Sequence, residues 1–171
     1  EEGSRTKLCA AASVSAPIDL LGSCRSLMRF RNLPYHRHVF GAIKREALAE
    51  GAALTALERA NITASRTLWQ YDALFTGPRN GFSGAAEYYF RSSAVNFLPG
   101  IRIPTLVLAS LDDPWVPGGA YSGHHWGHHW GSNKSLSLRP VLTPRGGHVG
   151  FHGVGGYKPW SDLAVMKFLE E

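Results

Sequence analysis

Ile103-Pro104-Thr105-Leu106-Val107-Leu108-Ala109-Ser110, closed by Leu111-Asp112-Asp113-Pro114, is the clearest strand signal in the chain. An apolar run of this length without alternation fits a strand covered on both faces, and such strands belong to parallel sheets. Pro104 at its start is tolerated, because the first residue of a strand can do without an N–H. Upstream, Leu8 to Ser15 is small and apolar and is stopped by Ala16-Pro17, which predicts a second short buried strand. Downstream, Lys134 to Thr143 alternates Leu136, Leu138 and Leu142 with polar residues and reads as a third strand. Between the first two, from Ile18 to about Ser93, apolar residues recur at helical spacing: Leu20, Leu21, Cys24, Leu27 and Met28, then Phe40, Ile43, Leu48, Leu54 and Leu57. Trp160, Leu163, Val165, Met166 and Leu169 predict a final amphipathic helix. The order strand, helical insert, strand, loop, strand, helix indicates an α/β fold with a parallel sheet and helices packed outside it. Three strands with one clear flanking helix leave an open apolar edge, so these elements read as the C-terminal part of a larger sheet.

Composition is consistent with a single packed domain: 171 residues, 44% hydrophobic and 18% charged. The net charge of +5 is spread over Arg25, Arg29, Arg31, Arg37, Lys44, Arg45, Arg59, Arg66 and later singles, with acids between many of them, and reads as a mildly basic solvated surface. No recognisable nucleic-acid module accompanies it. Cys9 and Cys24 sit in no C-x-x-C or His-paired spacing and read as buried or half-buried free thiols. No apolar run reaches the roughly 18 residues that span a bilayer, and Glu1-Glu2-Gly3-Ser4-Arg5 is not the start of a secretory signal. The expectation is a cytoplasmic protein with no transmembrane segment, no nucleic-acid partner, no cofactor and no resident metal.

Two segments carry chemistry. Leu111-Asp112-Asp113-Pro114-Trp115-Val116-Pro117 places acids just after the central strand, and Arg145-Gly146-Gly147-His148-Val149-Gly150-Phe151 places a histidine in a glycine turn after the next one. Together with Val14-Ser15-Ala16-Pro17-Ile18-Asp19-Leu20, Tyr71-Asp72-Ala73-Leu74-Phe75-Thr76-Gly77-Pro78-Arg79-Asn80-Gly81-Phe82, Glu87-Tyr88-Tyr89 and Ile103-Pro104-Thr105-Leu106, they resemble the YheT-like branch of the α/β-hydrolase superfamily in order and approximate spacing. The resemblance implies a serine hydrolase of the carboxylesterase or lipase type, acting on small-molecule esters or acylglycerol-like lipids through a Ser-Asp-His triad. It also implies that residues 18–93 are a mainly helical lid inserted between two strands, within a partial α/β-hydrolase domain spanning residues 1–171. Asp113 is the expected acid, since it is followed by two residues and then Val116-Pro117, a spacing common in hydrolase acid loops; Asp112 is the alternative. His148 is the expected general base.

No G-x-S-x-G occurs in the sequence. Ser4, Ser13, Ser15, Ser23 and Ser122 lack the small-residue frame that a nucleophile elbow needs. The expectation is therefore that the nucleophile lies before residue 1, that this chain alone is inactive, and that it needs the N-terminal half of the domain. The alternative is a non-catalytic hydrolase-like remnant serving as a binding or interaction module. Gly123-His124-His125-Trp126-Gly127-His128-His129-Trp130-Gly131 repeats His-His-Trp-Gly; imidazoles bind zinc, copper or nickel, but no Cys or carboxylate within the repeat completes a tetrahedral site, and a duplicated surface loop is the plainer reading. His36 and His38 read as solvent-facing and His152 as a loop neighbour of His148. Glu87, Tyr88 and Tyr89 are expected to pack the helical segment onto the sheet.

Overall fold

The computed structural model describes residues 7–122, 137–153 and 158–171. They fall into two compact units, one built from Glu1–Asp19 with Ala94–Glu171 and one from Leu20–Ser93.

The first unit is organised by β2, Thr105–Ser110, in which every residue is buried. It lies between β1, Ala11–Val14, and β3, Leu138–Thr143, and pairs in parallel with both. The parallel α/β sheet read from the apolar run is thus the observed fold. The strand limits differ from those expected. Leu8 and Cys9 are exposed and precede the ladder, which opens with Ala11 opposite Thr105; Cys9 is therefore a surface thiol. The cause is Pro104, whose carbonyl accepts from Ala11 N–H at 2.9 Å but which has no N–H to extend the pairing. β3 starts opposite the same Thr105. Pro140 sits within β3, a position open to proline because β3 is an edge of this three-stranded sheet. At the other end of β1, Ser15 donates the last ladder bond to Leu108 O at 2.8 Å and then turns away at φ 51°.

Ile18, Val107, Ala109, Val116 and Tyr121 form the core of this unit, with Leu98, Leu138 and Leu142 against it. The final helix, which we number α8 in the scheme completed below, spans Trp160–Leu169 and packs on β1 and β2. It is turned otherwise than its apolar spacing suggests. Leu163, Met166 and Leu169 stand half or more exposed, whereas Ser161 and Phe168 are buried and Ala164 and Val165 half-buried. The inward stripe 161, 164, 165, 168 has the i, i+3, i+4, i+7 spacing of a helix face. Ser161 and Ala164 allow the helix backbone to approach the sheet more closely than Leu163 and Met166 would.

The second unit is helical: α1 Leu20–Leu27, a 3-10 turn Phe30–Asn32, α2 Leu33–Ala47, α3 Ala56–Ala64, α4 Leu68–Tyr71 running through a π-helical turn Asp72–Thr76 into α5 Gly77–Arg79, and α6 Ala85–Ser92. A further short helix, α7 Gly119–Ser122, belongs to the sheet unit and precedes β3. Pro34 falls in the first turn of α2, where its missing N–H costs nothing. Thr55 and Glu58 form a reciprocal capping box at α3. Two apolar clusters hold the unit together, one around Cys24, Ala85 and Tyr89 and one around Phe40, Ile62 and Tyr71. The Tyr89 hydroxyl donates to buried Asp72 in a short bond, and burial pushes the Asp72 carboxyl above its ordinary range.

One expectation about this unit, that His36 faces solvent, is corrected. Tyr88 and Tyr89 pack inside it with Cys24, Leu20 and Trp69, while Glu87 stays at the surface, accepting from Ser83 N–H at 2.8 Å and pairing with Arg91. Its carboxyl is held down at about 2, chiefly by the Ser83 backbone bond. His36 is buried at 3% exposure; only His38 faces solvent. His36 stacks on Phe40 and its Nε2 accepts from Leu68 N–H at 3.1 Å, satisfying a donor at the start of α4 that has no partner within the helix. Burial, with Arg37 adding to it, pushes its pKa below 6.5.

Candidate active site

The acid turn begins where β2 ends. Leu111 N–H donates to Thr143 O at 2.9 Å, fixing the first residue of the turn against β3, and Asp113 N–H reaches back to Ser110 O. The Asp113 carboxylate then closes the turn on itself. Its Oδ1 accepts from Trp115 N–H at 2.8 Å and Val116 N–H at 2.9 Å, an Asx-type turn followed directly by Val116-Pro117. With one oxygen held by two backbone donors, the other has a single direction left to face. Oδ2 lies 2.9 Å from His148 Nδ1.

The histidine loop is shaped by glycine. Gly146 has φ 152° and Gly147 φ 56°, and Gly150 N–H donates back to Gly146 O at 2.9 Å. A Cβ on Gly146 would come within 2.6 Å of the ring of Phe151, which is buried beneath the turn. The loop therefore needs a residue without a side chain at 146, both for its backbone angle and for the ring below it. His148 emerges from this turn with its side chain 27% exposed, while that of Asp113 is 2% exposed.

A carboxylate oxygen only accepts, so Nδ1 carries the proton of this bond and Nε2 is left with the lone pair. Among the described residues Nε2 has no hydrogen-bond partner. This is the geometry of a general base: one nitrogen fixed by a buried acid, the other open to a proton. The Trp115 indole lies against the imidazole, with ring centroids 4.4 Å apart and planes at 46°. That contact restricts ring rotation.

Asp112, the alternative acid, faces elsewhere. Its Oδ1 accepts from Gly147 N–H at 2.9 Å and from the Ser110 hydroxyl in a short bond; the two donors, the hydroxyl first, hold its carboxyl below the usual carboxylate range. Adjacent acids thus do different things: Asp113 meets the histidine side chain, and Asp112 ties the backbone of the histidine loop to the end of β2. Sequence reading missed Asp112 and Ser110 as a tether, and Trp115 as the neighbour of the ring. The doubling of the acid in Asp112-Asp113 was the available signal. His152 is exposed beside the loop, its N–H bonded to Gly150 O. Of the serines considered, Ser15 is buried and Ser4 lies outside the described residues, as does the His-His-Trp-Gly repeat with His124, His125, His128 and His129. Among the described residues no helix is long and apolar enough to cross a membrane.

A parallel α/β sheet with an acid turn after its central strand and a glycine-framed histidine after the next has the arrangement of an α/β-hydrolase. Comparison with known proteins agrees. Over 99% of its length the chain is 30% identical to a monoacylglycerol lipase of Saccharomyces cerevisiae, covering 38% of that protein. It is 30% identical to YheT of Escherichia coli over 90% of the chain and 44% of YheT. Over 58% of the chain it is 46% identical to the medium-chain fatty acid ethyl ester synthase/esterase 2 of Saccharomyces cerevisiae. No family model matches the chain, and no solved structure does. The chain belongs to the branch of the α/β-hydrolase superfamily that includes YheT, and corresponds to a C-terminal portion of that fold. It spans about two-fifths of the length of the relatives it matches most fully.

Proposed function

We propose that these residues supply the acid and the base of a serine hydrolase acting on carboxylic esters, with Asp113 as the acid, His148 as the base and acylglycerol-like lipids as the substrate class. The observation that supports it most is the 2.9 Å bond from His148 Nδ1 to an Asp113 oxygen whose partner oxygen is held by two backbone N–H groups. In this reading His148 Nε2 takes the proton of a serine hydroxyl as the serine attacks the ester carbonyl. It then returns that proton to the departing alcohol and afterwards activates the water that releases the acid. Asp113 keeps the imidazole in the productive tautomer and stabilises its cation. The substrate class follows from relatives named as a monoacylglycerol lipase and an ethyl ester synthase/esterase.

The nucleophile is proposed to come from polypeptide outside these 171 residues, since no G-x-S-x-G lies within them. The same holds for the oxyanion donors, one of which is the N–H that follows the nucleophile. Residues 18–93 are proposed as the lid insertion, and the protein as a cytoplasmic one. A fluorophosphonate probe tests the reading. The polypeptide that carries these residues behind a G-x-S-x-G is expected to label, and to stop labelling when His148→Ala is introduced. The 171 residues alone are expected not to label. A polypeptide with the elbow that never labels, or that labels equally well without His148, overturns the assignment.

A further inference from the structure

We propose that the turn joining α1 to α2 is a docking surface for an anionic lipid–water interface. The inference deepens the reading of an acylglycerol-like substrate, because such substrates reside in lipid phases. It rests on a charge run and an exposed aromatic held in a fixed turn.

From Leu20 to Arg45 the sequence holds Arg25, Arg29, Arg31, Arg37, Lys44 and Arg45 and no Asp or Glu. Lys44 is engaged, donating to Thr63 O and Ser65 O. Arg25, Arg29, Arg31 and Arg37 are exposed, and among the described residues no carboxylate pairs with them. In their midst Phe30 is 90% exposed, more than any other large apolar residue described, and Tyr35 is 53% exposed. Single exposed apolar residues are ordinary, but Phe30 is flanked in the chain by Arg29 and Arg31, with Arg25 and Arg37 within seven positions and no acid between them.

The turn is rigid beneath that surface. Asn32 is buried; its side chain donates to Ser26 O at 2.8 Å and its N–H to Arg29 O at 2.8 Å, while Arg29 N–H donates to Ser26 O at 3.1 Å. The backbone that presents Phe30 is therefore already ordered, and little conformational freedom is lost on docking. Phe30 suits the boundary of headgroup and acyl chain, and guanidinium groups bond lipid phosphates with two parallel N–H donors. A phenyl ring carries no polar atom and gains from hydrocarbon, which favours a lipid surface over an acidic protein.

Co-sedimentation of the full chain with vesicles tests the proposal. Mixed phosphatidylcholine–phosphatidylglycerol vesicles are expected to bind it, phosphatidylcholine vesicles much less, with binding falling as salt rises. Arg29→Gln with Arg31→Gln is expected to weaken binding by about 25-fold, at about fivefold per charge near the membrane surface. Phe30→Ser is expected to weaken it about tenfold. Arg59→Gln with Arg66→Gln removes the same charge from exposed sites elsewhere on this unit and is expected to change binding little; far-UV circular dichroism checks that all variants are folded. Equal losses in the two double variants, no vesicle binding, or tighter binding to RNA than to anionic vesicles overturns the proposal. In the elbow-containing polypeptide, hydrolysis of a water-soluble short-chain ester reads the active site separately: if that persists while vesicle binding fails, this inference alone falls.

Discussion

The sheet unit and the helical unit each place a histidine and an aspartate among buried residues, and they use them in opposite ways. In the helical unit the imidazole lone pair and the carboxylate are both engaged. His36 Nε2 is occupied by Leu68 N–H, and Asp72 by the Tyr89 hydroxyl. In the sheet unit the lone pair stays open: Asp113 spends one oxygen on its own turn and one on His148, and among the described residues His148 engages only Nδ1. The difference teaches that what marks a candidate catalytic histidine is a lone pair left open after the fold has taken its share. Residue type does not separate the two.

That contrast can be broken at several points. The largest effect is expected from Asp113→Asn in the elbow-containing polypeptide. The amide keeps the shape of the turn but offers a donor to Nδ1, and kcat for ester hydrolysis is expected to fall about 10⁴-fold, as for loss of a triad acid. Circular dichroism should show the fold kept; a loss of less than tenfold would mean that Asp113 is only a turn residue. His36→Leu is expected to do the reverse, leaving soluble-ester turnover intact while costing about 1–3 kcal/mol in urea unfolding, because Leu68 N–H loses its acceptor inside the unit. The pH dependence follows in sign. The folded-state pKa of His36 lies below 6.5, so the unfolded chain binds more protons there, and its contribution to stability is present above that pH and lost as pH falls through it. His36→Leu should flatten the unfolding midpoint between neutral and mildly acidic pH; an unchanged slope would discount His36 as its source. The smallest effect belongs to Asp112→Ala, which frees Gly147 N–H. It is expected to lower kcat/KM roughly fivefold, the value of one net hydrogen bond of ~1 kcal/mol, with Asp112→Asn restoring most of the loss. Equal losses from Asp112→Ala and Asp113→Asn would erase the distinction between tether and acid.

What could be read in advance was what depends on local chemistry. The run Thr105 to Ser110 is apolar enough to be a buried strand anywhere, and Asp112-Asp113-Pro114 ends it by turn chemistry alone. What could not be read depends on a partner. The start of β1 is dictated by Pro104, just ahead of a different strand and more than ninety positions away, as the pairing of Ala11 with Thr105 requires. The inward face of α8 was chosen by approach distance to the sheet, so Leu163 and Met166, the stronger apolar signals, lost to Ser161 and Ala164. His36 looked polar and exposed because nothing near it in sequence announces that Leu68 N–H will need an acceptor. The choice between Asp112 and Asp113 likewise rests on which backbone donors close the turn, a matter of geometry that composition leaves undetermined.

Pro104 has one more effect. Both β1 and β3 take Thr105 as their first partner, and β2 and β3 then run for six residues each, ending opposite one another at Ser110 and Thr143. The proline thus works as the zero mark of a ruler. Acid and histidine stand 35 positions apart, yet their separation in space is measured from that mark along two equal lengths of strand. That measurement follows strand register and does not count the residues between the acid turn and β3. A single-residue slip of β3 shifts the histidine by roughly 3.3 Å and turns each β3 side chain to the opposite face of the sheet.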